Sequence, residues 1–296
     1  GGRVSRAVLL LVNPAAANGR ARAALAPVRA ELQRLEVEHS VIETRSSAHA
    51  REEAGAAAAE GKTVAACGGD GFVGTVAGAV RGTDGALAVV PGGRGNDFAR
   101  VLDIPSDARA AALIAARGTE RMLDIALCDG TPFVCIASCG FDSDANRIAN
   151  ETKAVTGNLV YLYAALKALW QWKPATFRVT VDGVAHDLTG YSVAVGNSNA
   201  YGGGMYVLPQ AVLDDGLLDV MTSAHVPKLR FLADLPKVFK GTHGDNDAVS
   251  FMRGERIEVS ADRPFTVYGD GDPVGELPVT ITVERRTLRV LVPSGA

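Results

Sequence analysis

The first hundred residues alternate between short apolar runs and helix-favouring segments, and this alternation limits the possible folds more than any other feature. Ala7 to Val12 is an uninterrupted apolar run, as expected for a parallel strand that helices cover on both faces. The pattern then repeats, with predicted helices at 20–35, 49–60 and 72–81 and predicted strands at 38–44, 63–67 and 86–90. Such repetition predicts an α/β fold with a doubly wound parallel sheet, in which ligands bind beyond the carboxyl ends of the strands.

After Asp124 the pattern changes to short strand-like runs separated by turn residues, which indicates antiparallel pairing. The runs are 133–138, 176–181, 192–195, 217–221, 256–260, 265–268, 279–283 and 288–292, with helical stretches at 155–172 and 227–240. We therefore predict two domains, an α/β domain at 1–126 and a mostly antiparallel β-sandwich domain at 127–283, with 284–296 packing back on the first. The cleft between the domains is the expected active site.

The composition is that of an ordinary globular protein. The 296 residues are 47% hydrophobic and 21% charged with a net charge of −3, which argues against a disordered chain and against a nucleic-acid binder with a broad basic surface. No run approaches the roughly 18 to 20 apolar residues of a membrane span, and Ala7 to Val12 is too short for a signal-peptide core. We expect a cytoplasmic protein that touches a membrane surface without crossing it. The 4 cysteines lack zinc-site spacing and are predicted to be buried thiols, and the 5 histidines have no predicted role.

Two glycine segments are candidates for phosphate binding, and one of them fails. Gly61-Lys62-Thr63 is not a Walker A loop, because Gly55 lies one residue too far back and the segment runs from a helix into a strand. The run from Gly69 to Gly74 follows a strand and opens a helix, but no carboxylate lies about 20 positions on to bind a ribose. Asp70 would repel a phosphate unless Mg²⁺ lay between them, so the loop favours metal-bridged nucleotide binding. A tight turn capped by Asp70 is the alternative.

The next predicted strand delivers a second loop of the same kind, Pro91 to Phe98, which again combines glycines with an acidic residue. The first strand ends in Asn13-Pro14, whose side-chain amide can bind phosphate or ribose, and Asp124 joins from the start of the second domain. Because parallel strands end at the same edge of a sheet, we expect these groups to converge. Turn chemistry alone does not explain such convergence, and the sequence thus predicts Mg²⁺-dependent phosphoryl transfer.

The ordered set of motifs resembles the catalytic domain of the diacylglycerol and sphingosine kinase superfamily over nearly the whole chain. The matching segments are Asn13-Pro14, Gly68 to Gly71, Pro91 to Arg100, Asp124, Gly140-Phe141-Asp142, Tyr201 to Met205, Pro209-x-Ala211, Asp214 to Asp219 and Asp270-Gly271-Asp272. Soluble bacterial members resemble the chain most, while NAD kinases and phosphofructokinases share the Gly-Gly-Asp-Gly loop as more distant relatives. The resemblance implies an NAD kinase- or phosphofructokinase-like first domain and ATP-dependent phosphorylation of a lipid hydroxyl.

The resemblance also implies roles for the residues that match the family's motifs. The predicted ATP-binding residues are Asn13, Pro14, Thr44, Gly68, Gly69, Asp70, Gly71, Thr75, Arg94, Asn96 and Asp97. The predicted metal ligands are Asp70, Asp97 and Asp124, acting through water on catalytic Mg²⁺, and Val212, Asp215 and Leu217 at a structural Mg²⁺ site. The predicted catalytic residues are Asp70, Asp270 and Asp272, of which the last would take the proton from the lipid hydroxyl.

Three departures from the family pattern bear on the substrate. Phe72 stands where Thr is usual, Arg94 stands in place of the Thr that follows a glycine, and Asp272 replaces the usual Glu, which is one methylene longer. A lost hydroxyl removes a phosphate contact, whereas Arg94 can add a charged one. Diacylglycerol, giving phosphatidic acid in phospholipid biosynthesis, is the first candidate substrate. An NAD kinase-like or other small-molecule kinase and a weakly active lipid-binding regulatory protein are the alternatives.

Two predictions concern partners. The helix that ends in Trp170-Gln171-Trp172-Lys173 is predicted either to pack in the core through one apolar stripe or to rest its tryptophan end at a lipid interface, where Trp is favoured. Dimers are common among the bacterial relatives, so the resemblance implies a homodimer. No nucleic-acid partner is expected.

Overall fold

The computed structural model describes residues 6–151 and 159–294. Its strands are β1 (Val8–Val12), β2 (His39–Glu43), β3 (Thr63–Gly68), β4 (Ala86–Pro91), β5 (Thr119–Cys128), β6 (Thr131–Phe133), β7 (Ile136–Gly140), β8 (Ala175–Val181), β9 (Val184–Gly196), β10 (Leu218–Ala224), β11 (Val249–Gly254), β12 (Arg256–Ala261), β13 (Thr266–Gly269), β14 (Asp272–Glu276) and β15 (Val279–Val292). Its α-helices are α1 (Arg20–Arg34), α2 (Ser47–Ala59), α3 (Asp70–Val80), α4 (Asp97–Val101), α5 (Ala108–Arg117), α6 (Phe141–Glu151), α7 (Leu159–Gln171) and α8 (Lys228–Lys240).

The N-terminal part is a parallel sheet in the order β2-β1-β3-β4. The helix pairs α1/α5 and α2/α3 pack against it, and every residue of β1 and β3 is buried. This burial explains the continuous apolar runs, because a parallel strand covered on both faces has no polar side. The structure confirms the predicted parallel α/β region.

The C-terminal part is antiparallel, in the order β14-β13-β7-β9-β8-β12-β15, with β10 and β11 added beside β9. An aromatic cluster fills its core. The Tyr191 ring stacks on Phe231 with centroids 4.2 Å apart and on Trp172 at 6.0 Å, and Phe141 meets it edge-on at 6.2 Å. The structure confirms the predicted change from parallel to antiparallel pairing.

The strand β15 carries the sheet from one part to the other. Its first half pairs with β12 and β5, and its second half lies between β5 and β4, where Val290 faces Leu87 in parallel. Arg286, with a φ of 50°, lies at the shift in register against β5. The chain therefore forms one continuous sheet, while the division into domains at residue 126 stays a prediction.

The predicted long helix is described from Leu159 as α7, and its predicted start at Val155 lies outside the described residues. Trp170 is 84% exposed, whereas Trp172 is 4% exposed and belongs to the aromatic core. Only Trp170 therefore fits the predicted lipid interface. No helix within 6–151 and 159–294 has the length and apolar character needed to cross a membrane.

The cysteines are all buried and free, as predicted. Burial raises the pKa of Cys67 and that of Cys128 to about 12. His243, for which no role was predicted, is 1% exposed, and its Nε2 lies 3.0 Å from the Val207 carbonyl oxygen. Burial lowers the pKa of His243, which favours the neutral form of its ring.

Candidate active site

Two glycine loops lie against each other at the carboxyl ends of β3 and β4. Gly69 precedes α3, and Gly92 donates its N–H to the Gly68 carbonyl oxygen at 2.9 Å. A Cβ on Gly93 would collide with the Cα of Gly69, so only glycine fits there. The sheet thus brings two glycine loops beside the N-terminus of α3, an arrangement that binds anions through backbone N–H groups and the helix dipole.

Asp70 and Asp97 are the acidic residues of these loops. Asp70 Oδ1 accepts from the Phe98 N–H at 3.0 Å, and Asp97 Oδ2 accepts from the Gly203 N–H at 2.8 Å. A Cβ on Gly95 would lie 2.9 Å from Asp97 Oδ2 and 3.1 Å from Asp70 Oδ2, so both carboxylates border one small space. Burial raises the pKa of Asp70, and the charge of Asp97 adds to the rise. The guanidinium of Arg100 pairs with Asp97 Oδ1, and a cation beside Asp70 would relieve the remaining repulsion.

Asp270, at the turn between β13 and β14, is held by three backbone N–H groups from a distant segment. Val134 donates to its Oδ2 at 2.7 Å, while Cys135 and Ile136 donate to its Oδ1 at 2.9 and 3.3 Å. Burial, with a smaller contribution from the charge of Asp70, raises the pKa of Asp270 to about 8 against the opposing effect of the three N–H groups. Since both oxygens are engaged, the geometry suits Asp270 to positioning the hairpin.

Asp272, two residues on, lies directly over the first turn of α3. A Cβ on Gly71 would overlap the Asp272 carboxylate, so the glycine makes room for this side chain. Asp272 is exposed on its outer side, and partial burial raises its pKa. A carboxylate in this position can reach a group bound on the glycine loops.

Asp124 is buried at a different point. Its Oδ1 accepts from the Arg286 N–H at 2.7 Å and its Oδ2 from the Gly216 N–H at 2.6 Å. Its carbonyl oxygen accepts from Asn197 Nδ2 at 3.0 Å. Asp124 therefore ties the 212–217 loop to the bend in β15. Joint binding of Mg²⁺ with the two glycine-loop carboxylates through water stays a prediction.

The 212–217 loop, predicted to hold a structural Mg²⁺, contains a carboxylate that is already paired. Asp215 Oδ1 accepts from the Leu217 N–H at 3.1 Å. Its Oδ2 accepts from the guanidinium of Arg253, whose Nε lies 3.1 Å from Asp219 Oδ1. Val212 is 43% exposed on the outside of the loop. Both oxygens of the predicted side-chain ligand are thus engaged by protein groups.

Other predicted nucleotide contacts line the same edge of the sheet. Asn13-Pro14 follows β1, and the Asn13 side-chain oxygen accepts a backbone N–H two residues on at 3.1 Å. Thr44 follows β2, and its hydroxyl donates to the Val12 carbonyl at 3.0 Å. The Thr75 hydroxyl donates to the Gly71 carbonyl at 3.1 Å. Each hydroxyl keeps an acceptor lone pair but has committed its proton to the backbone.

Asn96 shapes the second loop. It adopts a left-handed conformation with φ of 51°, its Oδ1 accepts from the Gly93 N–H at 2.8 Å, and its Nδ2 donates to the Gly93 carbonyl at 3.2 Å. Arg94 is exposed at the tip of this loop. The Phe72 ring packs close over Gly68, so an apolar side chain borders the first loop where the family usually has a hydroxyl.

Comparison with known proteins identifies the family. Residues 7–128 match the model of the diacylglycerol kinase catalytic domain, and residues 135–292 match that of the YegS C-terminal NAD kinase beta sandwich-like domain. Over 294 residues the chain is 33% identical to a diacylglycerol kinase of Mycobacterium tuberculosis, covering 97% of this chain and 95% of that protein. The chain belongs to the diacylglycerol kinase family.

Further similarities agree with membership of the diacylglycerol kinase family. A Pseudomonas aeruginosa protein named "Probable lipid kinase YegS-like" is 32% identical over 237 residues, covering 79% of this chain and 78% of its own length. A crystal structure described as a diacylglycerol kinase from Bacillus anthracis has a TM-score of 0.72 at 21% identity, over 99% of both chains. That likeness shows the same fold, and the sequence matches place this protein in a family of lipid kinases.

The acidic pair of this diacylglycerol kinase family member fits a divalent cation. Asp70 and Asp97 present hard oxygen ligands of the kind that Mg²⁺ prefers, beside loops suited to phosphate. Within 6–151 and 159–294, no three His, Cys, Asp or Glu side chains are grouped closely enough to hold a metal on their own. Nucleotide phosphate oxygens and water would therefore complete the coordination, and Mg²⁺ bound there would neutralise phosphate charge.

Two residues that support the site were missed by the sequence prediction. The Gly203 N–H donates to Asp97. Asn197 donates from its side chain to the Asp124 carbonyl and from its backbone N–H to the Cys135 carbonyl. The signal for Gly203 was present, because the Tyr201 to Met205 motif belongs to the family pattern. Its contact with Asp97 was not readable, since the two residues are 106 positions apart.

Proposed function

We propose that this protein transfers the γ-phosphoryl group of ATP to the hydroxyl of a lipid, with diacylglycerol as substrate and phosphatidic acid as product. The observation that supports this most is the position of Asp272 over Gly71, at the start of the helix whose first residue is Asp70. Phosphoryl transfer needs positioning and charge neutralisation more than covalent help from the protein. A base, an acidic pair and two glycine loops in one place meet those needs.

The ATP phosphates would lie over the backbone N–H groups of Gly69 to Gly71, where the positive end of the α3 dipole favours negative charge. Asn13 and Thr44, at the ends of β1 and β2, would border the nucleotide along the same sheet edge. Exposed Arg94 would add a charged contact from the second loop. Asp70 and Asp97 would hold the Mg²⁺ that accompanies the phosphates.

Asp272 would orient the lipid hydroxyl and accept its proton. Partial burial raises its pKa, which makes its carboxylate a stronger base than that of an ordinary aspartate. Asp270 would hold the hairpin at the correct height through its three N–H partners. In this arrangement Asp272 accepts the proton, and Asp270 holds the hairpin that carries Asp272.

The names of the relatives favour diacylglycerol as the acceptor. The M. tuberculosis relative is named a diacylglycerol kinase, and so is a Bacillus subtilis protein that is 27% identical over 259 residues, covering 86% of this chain. The P. aeruginosa relative carries the broader name of a lipid kinase. Diacylglycerol and other hydroxylated lipids each present a hydroxyl group to the base, so the proposed chemistry is the same for each lipid.

A lipid acceptor requires access to a membrane, and α7 and α8 present an exposed apolar face. Tyr163, Leu166 and Trp170 on α7 are 43%, 47% and 84% exposed, and Leu229 at the start of α8 is 82% exposed. Lys228 Nζ donates to the Trp170 carbonyl at 2.8 Å and joins the two helix ends. Tryptophan and lysine are favoured where hydrocarbon meets lipid headgroups. We propose that this face rests on the membrane and keeps the protein peripheral to it.

A radiolabelled-ATP assay against diacylglycerol, a sphingoid base, ceramide and NAD tests the proposed reaction. Labelled phosphatidic acid is the expected product. Asp70→Asn should reduce the rate about 100-fold or more without lowering the Tm, because it removes charge from the phosphate site and relieves repulsion with Asp97. Asp84→Asn is a matched control, since Asp84 lies in an exposed turn and bonds other residues through its backbone carbonyl.

Two outcomes would contradict the proposal. Phosphorylation of NAD with no labelled lipid would move the protein to another substrate class. Near-normal lipid phosphorylation by Asp70→Asn would show that the Asp70 carboxylate is not needed for catalysis, whatever the acceptor.

A further inference from the structure

Three carboxylates crowd the segment that leads into β10. Asp214, Asp215 and Asp219 lie within the stretch 214–219. Only 6% of the Asp219 side chain and 28% of the Asp215 side chain are exposed. Carboxylates this close together and partly buried need a compensating positive charge.

Arg253 supplies such a charge from the neighbouring strand. In the pairing of β10 with β11, Arg253 lies directly opposite Asp219, and its Nε is 3.1 Å from Asp219 Oδ1. Its Nη2 reaches on to Asp215 Oδ2. One planar guanidinium thus bridges two carboxylates, a geometry that the ammonium group of a lysine does not reproduce.

Two further arginines border the same loop. Arg121 donates to Asp214 at 3.1 Å. The Arg285 side chain covers Gly216, since a Cβ there would lie 2.5 Å from Arg285 Nε and 3.0 Å from its Cζ. Three arginine side chains therefore border this loop, although Arg285 also pairs with Glu255.

We propose that Arg253 is the built-in counter-cation of the 212–217 loop and takes the place of the structural Mg²⁺ that the family resemblance predicts. The bridge has a wider role because Gly216 donates to Asp124 at 2.6 Å and the Leu213 carbonyl accepts from the Asp124 N–H at 2.9 Å. Holding the loop therefore holds Asp124 at the junction of the two parts of the sheet. This proposal is independent of which substrate the kinase uses.

Thermal unfolding of the nucleotide-free protein distinguishes an arginine-held loop from a metal-held one. The wild-type Tm is expected to be the same in EDTA and in millimolar Mg²⁺. Arg253→Gln should lower the Tm in EDTA by about 4 °C or more, because Asp215 and Asp219 then face each other without a counter-charge. Mg²⁺ should restore part of that loss by binding the freed carboxylates.

Matched variants locate the effect. Arg178→Gln breaks an exposed ion pair with Asp187 on other strands and should leave the Tm unchanged in both buffers. Arg253→Gln combined with Asp219→Asn should recover stability in EDTA and respond less to Mg²⁺. If Arg253→Gln does not fold, Arg253→Lys provides the test, with a smaller fall in Tm that Mg²⁺ partly reverses.

Two results would overturn the proposal. One is a wild-type Tm that rises in Mg²⁺ and loses this response on Asp215→Asn. The other is an unchanged Tm for Arg253→Gln in EDTA, which would show that the guanidinium does not stabilise the loop. Neither result depends on kinase activity, so the lipid kinase proposal would stand or fall separately.

Discussion

Asp272 is the residue whose charge state governs the proposed chemistry. It accepts a proton only as a carboxylate, and partial burial raises its pKa above the ordinary value of 3.8. The rate should therefore fall with decreasing pH, starting at a higher pH than for an exposed aspartate, and kcat/KM measured against pH checks this. Asp272→Glu, which restores the family's residue, should stay within about tenfold of wild type, whereas Asp272→Asn should lose about 100- to 10,000-fold.

Glu276→Gln is the control for these variants, because Glu276 lies on the same strand and accepts from the Thr266 hydroxyl at 2.6 Å, as an amide oxygen also can. Its rate and pH profile should match wild type. A profile of Asp272→Asn that keeps both the wild-type rate and the acid limb would assign the base to another group.

Gly93 and Gly55 form a pair of glycines with opposite expectations. Gly93→Ala would push a methyl group into the backbone of Gly69 and separate the two loops, so we expect about 1–3 kcal/mol of destabilisation and a loss of activity. Gly55→Ala, inside α2 with nothing within 4 Å of the added Cβ, should stabilise the protein by about 0.5–1 kcal/mol. Urea unfolding measures both, and equal effects would contradict the close approach of the two loops.

At the same scale, sequence reasoning grouped the candidate residues whose motifs are local, and their roles stay predictions. Asp70 and Asp97 were readable because each lies next to glycines at the end of a predicted strand. The N–H partners of Asp270 were not readable, since Val134 is 136 residues away. The interaction between Asp124 and Arg286 spans 162 residues and was missed for the same reason. Contacts between residues so far apart in sequence depend on the order of the strands in the sheet, which no local sequence pattern shows.

Among the elements, α7 ends with two tryptophans in opposite environments. Trp170→Ala should reduce co-sedimentation with diacylglycerol-containing vesicles and leave the Tm unchanged, because the side chain is exposed. Trp172→Ala should cost about 3–5 kcal/mol of stability, because the ring is buried against Tyr191. Vesicle binding that is the same for Trp170→Ala and wild type would argue against the membrane-facing role of this helix end.

The elements that the sequence predicted best are those with the simplest burial. The bounds of β1, β3 and β4 each differ from the predicted runs by one residue, because burial on both faces makes the whole strand apolar. β15 was predicted as two strands, 279–283 and 288–292, since the polar stretch between them interrupts the pattern. The structure keeps it as one strand, with its bend at Arg286.

For the whole molecule, β15 makes the two parts of the sheet depend on each other. Its C-terminal half, with the buried residues Leu288, Val290 and Val292, pairs with β5 on one side and with β4 on the other. A chain that ends before residue 284 should therefore lose cooperative unfolding in both parts, while a chain that ends after Val292 should melt as the full protein does. Calorimetry and circular dichroism measure this. Two separate melting transitions in the full chain would contradict the coupling.

Three backbone N–H groups bind the Asp270 carboxylate, and they should stay in place as an anion receptor when this side chain is removed. Asp270 has φ of 53°, a conformation that glycine adopts without strain, so Asp270→Gly should keep the turn while opening the receptor. Formate carries the same carboxylate and is small enough to enter. We expect the variant to be nearly inactive in chloride and to regain activity as formate is added, whereas bulkier carboxylates fail. Because Asp270 serves only to hold the hairpin, a dissolved anion can replace its carboxylate. The formate concentration of the buffer would then set the activity of the variant kinase.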